Sequence, residues 1–126
     1  MLPLVKWVFI FMPILFHAVL GVVIIQGGLP NTGSYPMGGN IRYTLQRVTG
    51  MIAFVFILLH VAHMHGLAEP LKRLHEGYFA QFDPHAATSS AGKAIQRSTL
   101  VSVSYAIGVL ACVYHLANGL WTMGIT

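Results

Sequence analysis

LVSVSYAIGVLACVYHLANGLWTM, residues 100–123, carries an imidazole, His115, and no Lys, Arg, Asp or Glu. Two other runs share this character: WVFIFMPILFHAVLGVVII, residues 7–25, with His17, and VTGMIAFVFILLHVAHMHGL, residues 48–67, with His60. A helix rises ~1.5 Å per residue, so each run is long enough to cross a hydrocarbon core of ~30 Å. An imidazole in lipid is costly unless it pairs, lines a water path or binds a ligand. A histidine inside such a span therefore points to function.

Composition sets the class. Hydrophobic residues make up 56% of the 126-residue chain and charged residues 8%, a balance that a soluble domain of this length could not hide from water. The reading is an all-α membrane helical bundle with three transmembrane helices, spans at about 4–26, 46–67 and 98–123, and connectors at 27–45 and 68–97. It forms a single transmembrane domain over 1–126. Little length remains for a soluble catalytic domain, so chemistry on a polar substrate would fall to partners. The lone cysteine, Cys112, forms no internal disulfide, and the CxxCH pattern that tethers a c-type haem is missing. The net charge of +4 comes from Lys and Arg at span edges, which suits lipid headgroups better than nucleic acid.

The connectors differ in kind. Between Gly27 and Gly39 the chain is rich in glycine and proline and reads as a loop. The longer connector holds all three acidic residues, Glu69, Glu76 and Asp83. Within it Leu71, Leu74, Tyr78 and Phe82 fall at helical spacing, which predicts a short interfacial helix over 71–82.

Depth orders the histidines. Successive spans must alternate in direction. His17 lies eight residues before Ile25 and His115 eight before Met123, so both sit roughly 12 Å from one membrane face. His60, seven residues before Leu67 on the oppositely directed span, sits roughly 10 Å from the other face. This favours His17 and His115 as partners. A haem b iron takes two such axial imidazoles, one from each side, and its apolar rim suits a bilayer. The third span offers a face of small or polar residues, Ser104, Gly108, Ala111, His115, Asn118, Gly119 and Thr122, against which a macrocycle could lie. Val109, Val113 and Leu120 point the other way. Gln46, Thr49, Ala53 and Phe56 line up with His60.

Plainer readings stand beside this one. Small residues at intervals of three or four are the ordinary means by which membrane helices approach one another, and a span histidine can bond a neighbouring carbonyl. His60, His63 and His65 could chelate a metal, although no carboxylate or thiolate stands close in sequence. His75 and His85 read as solvated loop residues and Cys112 as a small apolar filler. A signal-peptide reading of residues 1–25 fails on length and lacks a small-residue cleavage site.

The motifs then become specific. YHLANGLWT (Tyr114–Thr122), QRVTG (Gln46–Gly50) with a histidine ten residues after that glycine, and FHAVLG (Phe16–Gly21) resemble the cytochrome b membrane-anchor subunit of bacterial succinate dehydrogenases and fumarate reductases, the type with one five-span polypeptide and two haems. The resemblance extends over nearly the whole chain. It implies that the spans correspond to the family's second, third and fourth. His17 and His115 would then be axial ligands of the proximal haem b, and His60 one ligand of the distal haem b, its partner lying on a first span outside this sequence. The chain would be the middle of a longer polypeptide, with Met1 an internal start or a trimmed boundary, and would fully ligate one haem.

The same resemblance implies an anchor and electron carrier, without a dicarboxylate site of its own, in a bacterial cytoplasmic membrane. Its partners would be the flavoprotein and iron–sulfur subunits, membrane lipid and a quinone. Gln46 and Arg47 become candidates to meet haem propionates or the iron–sulfur partner, because Arg makes charge-assisted forks to carboxylates. Arg47 as a headgroup anchor is the plainer alternative. Orientation is contested: the resemblance puts the connector between the first two spans on the cytoplasmic side, whereas Lys72, Arg73, Lys93 and Arg97 favour the other. The expectation follows the resemblance. Rival functions are a cytochrome b subunit of a hydrogenase or formate dehydrogenase, and a haem-free membrane scaffold or small transporter.

Overall fold

The computed structural model describes residues 2–64 and 83–125. The interfacial helix expected over 71–82, along with His65 and His75, lies outside the described residues. The described chain is helical, with no strand. Three of its helices are long and apolar enough to cross a membrane: Leu4–Gln26, Gly38–His63 and Thr99–Ile125, of 23, 26 and 27 residues. At ~1.5 Å per residue these measure roughly 35–40 Å, so their ends reach the headgroup layers on either side of the hydrocarbon. Leu4, Phe9, Leu110, Leu116 and other large apolar side chains lie on the outside, a surface that only lipid or protein would cover. The chain is an integral membrane protein. It divides into two compact units, residues 1–48 and 49–126.

In the first unit, helix α1 begins as an α-helix at Leu2–Lys6, passes through a π-helical turn at Trp7–Phe11 and continues as an α-helix over Met12–Gln26. The wide turn has a chemical cause in Pro13. Proline has no N–H to donate and its ring crowds the carbonyl four residues back, so the preceding turn loosens. The Met12 N–H accordingly donates to the Trp7 carbonyl, five residues away. Trp7 and Phe11 pack against each other across this turn, ring centroids 5.0 Å apart.

The chain leaves α1 at Gly27, and helix α2 spans Gly38–Met64. The sequence reading began this span near Gln46; the helix starts eight residues earlier. Polar side chains build its first turns: Asn40 Nδ2 donates to the Tyr35 carbonyl at 3.0 Å and Thr44 Oγ1 to the Asn40 carbonyl at 3.0 Å. Residues 38–45 thus form a polar helical entry, and the irregular connector shortens to residues 27–37. Arg47 ties this entry to the end of α1. Its guanidinium donates to the Gly28 carbonyl and, at 3.4 Å, to the Ile24 carbonyl, while lying 4.2 Å from the centre of the Tyr43 ring. Last-turn carbonyls lack partners within their own helix and carry partial negative charge, which a cation stabilises.

The second unit adds a 3₁₀ turn at Pro84–Ala86, helix α3 at Ala87–Arg97 and helix α4 at Thr99–Ile125. Helix α3 falls within what the sequence reading treated as connector. The Asp83 carboxylate caps the turn by accepting from the His85 N–H at 2.9 Å, and Ser90 Oγ closes back onto the Asp83 carbonyl at 3.3 Å. At Ser98 the backbone becomes extended, with φ −128° and ψ 114°, which separates α3 from α4. Ser98 Oγ accepts from the Val101 N–H at 3.4 Å, and Ser102 Oγ donates to the Ile95 carbonyl at the end of α3. These hydroxyls satisfy groups that the break leaves without helical partners.

Candidate functional site

Helix α4 presents one face to the protein and the rest outward. Val101, Gly108, Ala111 and Asn118 are buried, with Ser104, Tyr105, His115 and Gly119 half-buried beside them. Val109, Val113 and Leu120 are 50%, 60% and 55% exposed, as the sequence reading expected. Thr122, assigned to the inner face, is exposed, although its hydroxyl bonds back to the Asn118 carbonyl at 2.8 Å.

Three contacts join α4 to the half of α2 that belongs to the same unit. The His115 ring rests on Gly50: a Cβ there would lie 2.8 Å from Cε1, 3.0 Å from Nδ1 and 3.8 Å from Nε2. The Phe56 ring rests on Gly108, where a Cβ would coincide with Cγ and Cδ2 of the ring. His60 Nδ1 and Tyr105 Oη are 3.2 Å apart. Partner positions fall along α4 as they rise along α2, the register of an antiparallel pair. Glycine is required twice here for the same reason, since only a bare backbone lets an aromatic ring approach so closely.

The small-residue face therefore serves the packing of α2 on α4. Space that the sequence reading left for a macrocycle along Gly108 is filled by Phe56, because a ring from the neighbouring helix fits the missing side chain. Around His60 the result is an aromatic cluster. Phe56 lies nearly parallel to the imidazole, at 29° with centroids 5.9 Å apart, and edge-on to Tyr105, at 89° and 5.2 Å.

Histidines 60 and 115 thus mark two levels of one helix pair. Each level is set by a different partner, Tyr105 for His60 and Gly50 for His115, and these levels are ten residues apart on both helices. The separation along the pair is about 15 Å. His17 lies in the other unit, exposed on α1 nine positions before its last residue, Gln26, while His115 lies ten positions before the end of α4. Gln46 is half-buried in the polar entry of α2, and Arg47 directs both terminal nitrogens to the backbone carbonyls at the end of α1. His63 is buried, at 7% exposure.

The donor set suits a haem. Haem iron needs two imidazoles and an apolar enclosure, and no cluster of further donors. Among the described residues no three of His, Cys, Asp and Glu converge as a metal site; His65, the third member of the chelating cluster considered with His60 and His63, lies outside them. The contact at Gly50 turns the Nδ1–Cε1 edge of His115 towards α2 and sets Nε2 farther off, the nitrogen a metal would take. At His60 it is Nδ1 that meets the Tyr105 hydroxyl.

The sequence reading named His60 and His115 but missed Tyr105 and the role of Gly50. Once Gly50 is paired with His115, antiparallel geometry puts Tyr105 opposite His60, ten residues further along each helix. That signal lies in the register between helices rather than in either span alone.

No family model matches the chain, and no solved structure matches it. A succinate dehydrogenase cytochrome b558 subunit from Bacillus subtilis (strain 168) is 34% identical over 117 residues, which take in 93% of this chain and 52% of the relative. The chain spans about half the length of that relative. The similarity runs along nearly the whole of this chain.

Proposed function

We propose that the chain is the haem-bearing membrane anchor of a succinate dehydrogenase or fumarate reductase, carrying electrons between an iron–sulfur subunit and a membrane quinone in a bacterial cytoplasmic membrane. The observation that carries this reading is the pair of histidine levels about 15 Å apart on α2 and α4, each held against a specific neighbour in an apolar span. The similarity to a cytochrome b558 subunit supports the same reading. A bound haem b alternates between ferric and ferrous iron and so relays one electron at a time.

The chain's residues supply the holding. His115, braced by Gly50, and His17 on α1 would be the histidines that hold the haem serving the iron–sulfur partner. His60, braced by Tyr105, would be a histidine ligand of a second, distal haem. The flavoprotein partner carries the dicarboxylate chemistry. Gln46 and Arg47 lie on the cytoplasmic side with the connector over residues 27–37. Arg47 there secures the end of α1, on which His17 stands, and Gln46 is the better candidate to meet a propionate or the iron–sulfur subunit.

Reduced-minus-oxidised spectra of membranes containing the protein test the proposal. A b-type signal that co-purifies with the chain and with a flavoprotein is expected. A chain purified with its partners that carries no haem would overturn it.

A further inference from the structure

We infer that Tyr105 is a positioning residue for His60 and lowers the reduction potential of the haem that His60 ligates. The inference rests on the reading of His60 as an axial ligand. It starts from the 3.2 Å contact between His60 Nδ1 and Tyr105 Oη. A neutral imidazole carries its proton on one nitrogen and a lone pair on the other. When Nε2 gives its lone pair to iron, the proton resides on Nδ1, and the N–H then donates to the tyrosine oxygen. Tyr105 thereby selects the tautomer that can ligate and fixes the ring about its own axis. Partial withdrawal of the Nδ1 proton makes Nε2 a stronger donor, which favours ferric over ferrous iron.

The surrounding packing gives Tyr105 little latitude. Phe56 meets its ring edge-on and lies almost parallel to His60, and Phe56 is in turn seated on the bare backbone of Gly108. All three rings are therefore placed by one helix–helix approach. Tyr105→Phe removes the acceptor oxygen and keeps the ring, so it separates the hydrogen bond from the packing.

The test is a redox titration of the full complex in membranes, followed at the b-type bands. The signal of the His60 haem is assigned first by its loss in His60→Ala. In Tyr105→Phe the midpoint of that component is expected to rise, the other component to stay at its wild-type value, and the low-temperature EPR signal of the ferric His60 haem to move. If the substitution costs the haem, Tyr105→Gln, which restores an acceptor oxygen, is expected to recover it. Wild-type midpoints and EPR signals for both haems in Tyr105→Phe would overturn the inference while leaving His60 as a ligand. Failure of Tyr105→Gln to recover a haem lost in Tyr105→Phe would also overturn it. Persistence of every b-type component in His60→Ala would instead remove the ligand assignment on which the inference stands.

Discussion

Replacing Gly50 by valine is expected to abolish one b-type component of the protein and leave the other. Even the first carbon of the new side chain would stand 2.8 Å from Cε1 and 3.0 Å from Nδ1 of His115, closer than van der Waals contact allows. The branched methyl groups add to the overlap, and because the α2 backbone is fixed within its helix, the His115 ring is the part that yields. His115 must swing off the helix pair, taking Nε2 away from its metal. Loss of a group that orients a metal ligand commonly costs on the order of 10–100-fold in affinity. Displacing the ligand itself should cost at least as much, so the proximal haem is expected to be missing from the purified variant. Pyridine haemochrome quantitation, set against a co-purifying flavin, measures this: haem per complex should fall to about half, with the His60-dependent signal retained. Gly50→Ala should give the same effect in weaker form.

At Gly108 the expected result is a loss of stability together with damage at the distal level. Any Cβ there collides with Phe56 Cγ and Cδ2, and lies 2.8 Å from Cδ1 as well. In a bilayer, helix association draws on close packing rather than on burial from water, so a forced separation removes its main source. Overpacking a well-fitted site costs roughly 1–3 kcal/mol, and Gly108→Leu should reach the upper part of that range. Phe56 cannot move alone, being in contact with both Tyr105 and His60. Gly108→Leu is therefore expected to lower the thermal unfolding midpoint in detergent and to broaden or erase the His60-dependent signal. Combining it with Phe56→Ala should restore part of both losses, because the smaller side chain vacates the overlap. Strictly additive effects of the two substitutions would show that the introduced leucine and the Phe56 ring do not compete for that space.

Much of the architecture was legible because lipid imposes long, uninterrupted apolar runs. Residues 7–25, 48–64 and 100–123 each lie in a helix, and the all-α class follows from such runs. What escaped lies where that rule lapses. The entry of α2 at Gly38–Leu45 reads as loop because Gly38, Gly39 and Asn40 are poor helix formers. Its hydrogen bonds to Tyr35 and within the first turn, at the headgroup layer, override that preference. Helix α3 escaped because the apolar side of ATSSAGKAIQR is made of alanines with Ile95 as its one large residue, and its ends are fixed by Asp83, Ser98 and Ser102.

The candidate site divided in the same way. Histidines in apolar spans announce themselves by their cost, so His17, His60 and His115 were visible at once. Their neighbours were not. Tyr105 is one aromatic residue among many, and Gly50 one glycine near a threonine, until the pairing of α2 with α4 puts each opposite an imidazole. Arg47 makes a contact that its charge alone did not announce: its guanidinium donates to the backbone carbonyls of Ile24 and Gly28.

On the proposed function, His17 and His115 hold one iron and His60 another. Difference spectra and EPR of His17→Ala, His115→Ala and His60→Ala, each in the assembled complex, address it directly. His17→Ala and His115→Ala are expected to lose the same b-type component, and His60→Ala only the other. Loss of different components in His17→Ala and His115→Ala, or an unaltered spectrum in both, would contradict it.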